Sequence, residues 1–304
     1  MARSDNLTGA ALMMGSMAAF TLNDTMMKAM AGEVPLFQLL FLRGVLTTGA
    51  VAVAAWRMGA FCPVLPGREL GIIALRTGAE IGAAYFFLTA LFNMPLANVA
   101  AILQALPLTI TLAAWAFLRE PVGWRRLAAI IVGFAGVMLI IRPGAADFNF
   151  HALYTLVAVG CVTLRDLSTR RLSRRTPSIF VTLVTSAVIM IFFGIASLTG
   201  DWAVIGPREA GLTAGAAVMV VGGYLFSIMV MRVGEIGFIA PFRYTGLIWA
   251  LLLGWAVFGE WPETPTLLGA AIVAGSGLYT LWRESRLVRG ARIAQTTRTR
   301  PRGL

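Results

Sequence analysis

Four ionisable residues, Arg43, Arg76, Glu80 and Arg243, stand inside long apolar stretches of the sequence. A charge at the middle of a bilayer costs on the order of 3 kcal/mol on insertion scales, so each is a candidate to hold a solute, a proton or a counter-charge. Arg76 and Glu80 are spaced i, i+4, which places them on one helix face as an ion pair. Glu80 could instead carry a proton, a role the neighbouring guanidinium opposes. Arg43 and Arg243 have no acid three or four residues away. Each therefore needs a partner from another helix, a backbone carbonyl, water or a solute. Tyr244 stands beside Arg243. Asn23 and Asp24 lie one turn before Lys28, a spacing that suits an interfacial Asp24–Lys28 pair or an outer solute contact. Among the aromatics, Tyr85 and Trp249 lie away from the helix ends and could stack on a planar solute, although most aromatics in such a chain pack or line the interface.

Hydrolytic chemistry has no support. The single histidine, His151, has no GxSxG or HExxH motif around it, and no Walker A loop is present. Cys62 and Cys161 are far apart and lack metal-ligand spacing, so no disulfide, metal or cofactor is expected.

The elements that must position these residues follow from composition. The chain has 304 residues, 58% hydrophobic and 13% charged, with mean hydropathy +0.80. A soluble domain carries about 25% charged residues. The net charge of +11 therefore reads by position in a membrane rather than as a nucleic-acid surface. A bilayer core of roughly 30 Å takes about 20 apolar residues. Ten segments qualify: 7–27, 35–56, 70–92, 95–118, 125–142, 150–168, 178–198, 210–232, 237–258 and 265–283. Prolines punctuate the joins, among them Pro35, Pro63, Pro95, Pro121, Pro177 and Pro207. MARSDNLTGA has neither a basic n-region nor a small-residue cleavage site, so Leu7 is expected to open a span. The fold expected is an all-α multi-pass membrane protein. With both termini in the cytoplasm, the basic residues at segment ends gather on that side, Arg165, Arg170, Arg171, Arg174, Arg175 and Arg232 among them. Lys28, Arg142 and Arg208 fall on the other side, a bias that fixes the orientation. The arginine-rich tail from Arg286 is expected to be disordered near anionic lipid headgroups.

The chain also repeats itself. When Glu120 is placed on Glu260, Trp115 falls on Trp255, and LAAIIVGFAGV from Leu127 matches LGAAIVAGSGL from Leu268 with one residue inserted. Ten spans divided there give two inverted five-helix repeats, residues 1–144 and 145–284, with a basic cytoplasmic tail at 285–304. Residues shared by both copies read as frame, and residues in one copy only read as specificity. Arg243 is of the second kind, since Leu103 stands at its place in the first copy. Tyr244 aligns with Gln104. Pro107 and Pro241 interrupt the corresponding spans 4 and 9 and are candidate hinges. Gly78 and Gly82 form a GxxxG that allows close helix contact.

The motifs FQLLFLRG (37–44), LANVAAILQALPLTITLAAWAFLREP (96–121) and GFAGVMLI resemble the drug/metabolite transporter superfamily, more narrowly its ten-span EamA-type members. The N-terminal ALMMGSMAAFTLNDTMMK further resembles bacterial riboflavin importers. The resemblance implies secondary transport of a small organic solute across the inner membrane, by uptake or efflux. Riboflavin uptake is the best guess, and efflux of amino acids or related metabolites or drugs the alternative. A non-transporting scaffold is disfavoured by the buried arginines. The solute is expected at mid-depth from spans 3, 4, 8 and 9 with help from span 1. The partners expected are that solute and membrane lipid, with no nucleic acid, in a monomer or homodimer.

Overall fold

The computed structural model describes residues 3–59, 65–120, 122–145, 148–173, 176–230, 233 and 236–298. Cys62, Pro63, Pro121, Arg174, Arg175 and Arg232 lie outside the described residues, as do Arg300 and Arg302 of the tail. The helices are α1 (Arg3–Lys28), α2 (Leu36–Arg57), α3 (Gly67–Asn93), α4 (Leu96–Leu103), α5 (Leu106–Leu118), α6 (Trp124–Ile141), α7 (His151–Arg170), α8 (Ser178–Ser197), α9 (Pro207–Val230), α10 (Ile236–Ile239), α11 (Thr245–Phe258) and α12 (Thr264–Arg298), with a 3₁₀ segment at Ala240–Tyr244. Among the described residues no strand occurs.

Proline sets many of the starts. Pro35, Pro66, Pro95 and Pro177 precede α2, α3, α4 and α8 in extended conformation, and Pro207 opens α9. A residue without an N–H costs nothing at a helix entrance, where that donor has no partner. Pro107 and Pro241 lie in the first turn of the segment that follows each break, so spans 4 and 9 are each interrupted near their middle. Among the described residues eight helical rods are long and apolar enough to cross a membrane, counting α4 with α5 and the 3₁₀ segment with α11. The ten expected spans are reached only by adding α1 and α7, which have 26 and 20 residues but are more polar. Their polarity has a reason given below. The tail differs from expectation: α12 continues through Arg298, since Leu, Ala, Arg and Gln all favour helix.

α3 packs along α7, α1 along α9, α2 along α8 and α6 along α12, while α5 lies on α7 and α11 on α1. Exchanging each helix for its counterpart in the other repeat maps α3–α7 onto α9–α1 and α5–α7 onto α11–α1. The α2–α8 and α6–α12 pairs map onto themselves. The latter is glycine-dependent: a Cβ on Gly136 would meet the Gly269 carbonyl at 2.8 Å, and one on Gly269 would meet the Gly136 carbonyl at 2.6 Å. Two groups of helices result, α3–α5–α7 and α1–α9–α11, held by the two symmetric pairs.

The two ends of the bundle differ. Both clusters of buried apolar side chains, one around Val99, Ile102 and Val137 and one around Met27, Leu39, Leu91 and Phe193, sit toward the end that carries Lys28, Asn93 and Glu260. At that end α4 packs on α11. No comparable packing joins α5 to α10 at the opposite end, which carries Arg170 and Glu120. There Tyr224 is 48% exposed, and Phe226 and Phe238 are exposed too.

Candidate functional site

The polarity of α1 and α7 comes from one short pattern that both contain. Thr21-Leu22-Asn23-Asp24 and Thr163-Leu164-Arg165-Asp166 stand 142 positions apart, and Lys28 and Arg170 end the two helices at the same distance. The two threonines behave alike. Thr21 Oγ1 donates to the Met17 carbonyl at 2.8 Å and Thr163 Oγ1 to the Val159 carbonyl at 2.7 Å. Such bonds to the preceding turn satisfy a hydroxyl inside an apolar helix and bend it slightly.

Around these segments the half-buried charges of five helical segments meet. In the first repeat Asn23 Nδ2 donates to Asp24 Oδ1 at 2.9 Å, and Arg43 Nη1 from α2 donates to Asn23 Oδ1 at 3.2 Å. Asp24 and Glu80 both lie within electrostatic range of Arg43. In the second, Arg165 Nε donates to Asp166 Oδ1 at 2.9 Å, and its Nη1 reaches both oxygens of Glu80 on α3, at 3.1 and 3.3 Å. Glu80 thus pairs across helices rather than with Arg76 in its own helix. Arg76 turns to hydroxyls: its Nε donates to Thr169 Oγ1 at 3.0 Å and its Nη1 to Thr185 Oγ1 at 2.7 Å. Asp24 likewise does not pair with Lys28, which reaches Glu260 at 2.7 Å. In neither case does the local i, i+4 pair form: Glu80 and Lys28 take charged partners from distant segments, while Asp24 bonds to the adjacent Asn23.

Arg243, in the 3₁₀ segment, is the exception. Among the described residues its guanidinium has no hydrogen bond and no ion pair, although Asp166 and Arg165 are within electrostatic range. Tyr224 on α9 feels Glu80, Arg165, Arg43 and Arg76 while 48% exposed, so it borders both the ionic cluster and open space. The cluster contains four arginines (Arg43, Arg76, Arg165, Arg243) and three carboxylates (Asp24, Glu80, Asp166), one positive charge in excess. The excess belongs with Arg76 and Arg243, which have no carboxylate in contact among the described residues.

Other expected residues are distributed more widely. Gln104 is buried at the break between α4 and α5, with its amide close to Gly246. Tyr244 is buried, its hydroxyl pressed against Gly277 of α12 without a hydrogen-bond partner among the described residues. Tyr85 stacks with Phe37 at a 5.9 Å centroid distance on the rim of an apolar cluster. Trp249 lies on the outside of the bundle, where Trp115 and Trp255 are also exposed. Gly82 meets the Cys161 sulfur of α7, while Gly78 faces open space. The sequence reading missed Arg165, Asp166 and Tyr224. By sequence Arg165 counts among the basic residues at a segment end, since the apolar stretch 150–168 ends in Arg165-Asp166. The repeated Thr-Leu-x-Asp would have shown that it occupies the interior position of Asn23. No cluster of metal-ligating side chains occurs among the described residues.

Comparison with known proteins gives a consistent picture. The model of the EamA-like transporter family matches residues 7–142 and again 149–282. A riboflavin transporter of Vibrio cholerae is 30% identical over 220 residues, 71% of this chain and 73% of that protein. An S-adenosylmethionine uptake transporter of Rickettsia bellii is 25% identical over 63% of this chain and 66% of that one. The pseudopaline exporter CntI of Pseudomonas aeruginosa is 21% identical over 88% of this chain and 94% of that one. A solved crystal structure, 20% identical, superposes with a TM-score of 0.59 over 94% of this chain and 99% of that one, a likeness of fold.

Proposed function

This chain belongs to the EamA-like transporter family, of the drug/metabolite type, and on that premise we propose that it carries an acceptor-rich small metabolite by alternating access, with riboflavin uptake the leading reading. The observation that carries this is Arg243: a guanidinium with no hydrogen bond or ion pair among the described residues, in a broken helix, beside an ionic cluster with one positive charge in excess. A half-buried guanidinium inside a membrane span, with no protein partner among the described residues, is open to pair with whatever solute arrives. The carbonyl and ring-nitrogen acceptors of an isoalloxazine suit such a donor, and Tyr224 offers a ring at the open border of the cluster. A sulfonium cation, the charge of S-adenosylmethionine, would meet repulsion there. The Vibrio relative supports the same choice.

In this reading the protein is a bacterial inner-membrane carrier with both termini in the cytoplasm. α1 and α7 complete ten spans, residues 1–144 and 145–284 are inverted repeats, and 285–304 is a basic cytoplasmic extension. Inversion is supported by the exchange of packing pairs between repeats, because an odd number of spans per copy turns the second copy over. The solute lies between α3–α5–α7 and α1–α9–α11, near Arg243, Arg76 and Glu80, with Asn23, Asp24 and Arg43 on the far side. Pro107 and Pro241 are the hinges about which the broken spans adjust. With the Lys28 end sealed, the cytoplasmic entrance is the open one.

Efflux is the second reading, favoured by the exporter relative and by the surplus positive charge, which suits a polycarboxylate. Growth rescue of a riboflavin auxotroph at low external vitamin separates the two. Rescue supports uptake. Absence of rescue, combined with counterflow of a labelled carboxylate in proteoliposomes, replaces riboflavin by an exported acid.

A further inference from the structure

Lys28 and Glu260 form more than an ion pair. Both belong to the α1–α9–α11 group, and together they grip the backbone of the other group at the corner between α3 and α4. Lys28 Nζ donates to both Glu260 oxygens, at 2.7 and 2.9 Å, and to the Met94 carbonyl. Glu260 Oε2 accepts the amide of Leu96 at 3.0 Å. Leu96 opens α4, where free amides and the helix dipole favour an anion. The lysine side chain is only 9% exposed and lies over the Phe258 ring.

The other repeat holds the same parts. Arg170 stands at the place of Lys28, Glu120 at that of Glu260, and Ile236, the first residue of α10, at that of Leu96. The backbone presents the two glutamates alike: the Glu120 amide closes its helix on the Ala114 carbonyl at 3.3 Å, the Glu260 amide on the Gly254 carbonyl at 3.0 Å. Their side chains do not behave alike. Arg170 and Glu120 touch at a single 3.5 Å contact, with side chains 50% and 53% exposed, and Glu120 accepts no backbone amide among the described residues. α4 meets α11, and α5 has no such packing with α10. Equivalent parts are thus assembled at one end and apart at the other.

We infer that the two ion pairs are exchangeable clasps, each built to grip the backbone corner of the opposite helix group, and that only one is closed at a time. In the conformation opposite to this one, the Arg170–Glu120 pair closes on the backbone amide of Ile236 that opens α10, and Lys28–Glu260 releases Met94 and Leu96. The clasps set the populations of the two states, because each stabilises one state and is idle in the other. This rests on the alternating-access reading, and it adds which side chains hold each gate.

The test uses the full chain in lipid nanodiscs, without solute, with both cysteines replaced by alanine. Spin labels at Asn93 and Ala210 report the Lys28 end, and labels at Leu7 and Arg171 the other end. Pulsed dipolar spectroscopy should show the unmodified clasps holding the Lys28 end short. Glu260→Gln should raise the population with a long distance there by at least about threefold and shorten the other end. Adding Glu120→Gln to that variant should return the distribution toward the original. Lys28→Glu with Glu260→Lys should fail to restore it, since each reversed charge then faces a backbone group of like polarity. Glu120 is half exposed, so Glu120→Gln tests the idea even if Glu260 variants fail to fold: alone it must deplete whatever minor state is open at the Lys28 end. Unchanged distances in Glu260→Gln, a shift in the same direction by both glutamine variants, or full restoration by the charge swap would overturn the inference. Distances that exchange in a protein that moves no solute would leave the clasps standing and remove the transport reading. Transport with immobile populations would do the reverse.

Discussion

The two repeats present the same Thr-Leu-x-Asp segment to the centre of the molecule and use it differently. In the first, Asn23 is a neutral bridge between Asp24 and Arg43. In the second, the same position is Arg165, which ties Asp166 and Glu80 together. One residue changes the segment from a neutral hydrogen-bonded bridge between an acid and an arginine into an ionic bridge between two acids. A duplicated fold can therefore keep its symmetry in packing while its two copies contribute different chemistry to a shared centre. Arg243 against Leu103 repeats the lesson in the broken spans.

Removing the charged partner should have the largest effect. Arg165→Leu strands Glu80 and Asp166; breaking a fully buried pair costs about 3–5 kcal/mol, an upper bound for these half-buried side chains. Thermal unfolding of the purified protein should fall sharply, with much less loss in Asn23→Leu. Equal losses would mean that the two segments contribute alike. Next, Arg243→Ala should reduce transport at least about tenfold with little change in melting temperature, because among the described residues no hydrogen bond or ion pair depends on that guanidinium. Leu103→Ala should do the opposite, costing about 1–2 kcal/mol of stability by loss of packing while solute is still carried. The smallest effect concerns the two helix ends. Arg119 (φ 56°) occupies the left-handed position that Gly259 (φ 66°) fills in the other copy. Arg119→Gly relieves a side-chain clash there and should stabilise by about 0.5–1 kcal/mol, read as a small rise in melting temperature. No rise would mean that contacts of Arg119 offset its strain.

Much of the fold was legible because prolines and apolar run lengths are local signals. Pro35, Pro95, Pro177 and Pro207 stand where helices start, and the repeat anchored on Glu120 and Glu260 located the equivalent breaks in spans 4 and 9. The ionic centre was only half legible. Arg76 and Glu80 advertise a pair at i, i+4, yet the structure gives Glu80 to Arg165, eighty-five residues away. Which partner wins depends on helix packing, which a single sequence does not display. Arg165 itself was hidden by its nearness to a basic helix end. The signal that would have exposed it runs 142 positions apart in α1 and α7, offset by two residues from the 140 that aligns Glu120 with Glu260.

Transport as proposed requires a solute that pairs with Arg243 between the two helix groups. Uptake of radiolabelled riboflavin into proteoliposomes, measured side by side for the unmodified protein, Arg243→Ala and the outward-facing Trp249→Ala, tests this most directly. Saturable uptake that persists in Trp249→Ala and is lost in Arg243→Ala is the result expected. Uptake by Arg243→Ala at the unmodified rate would contradict it.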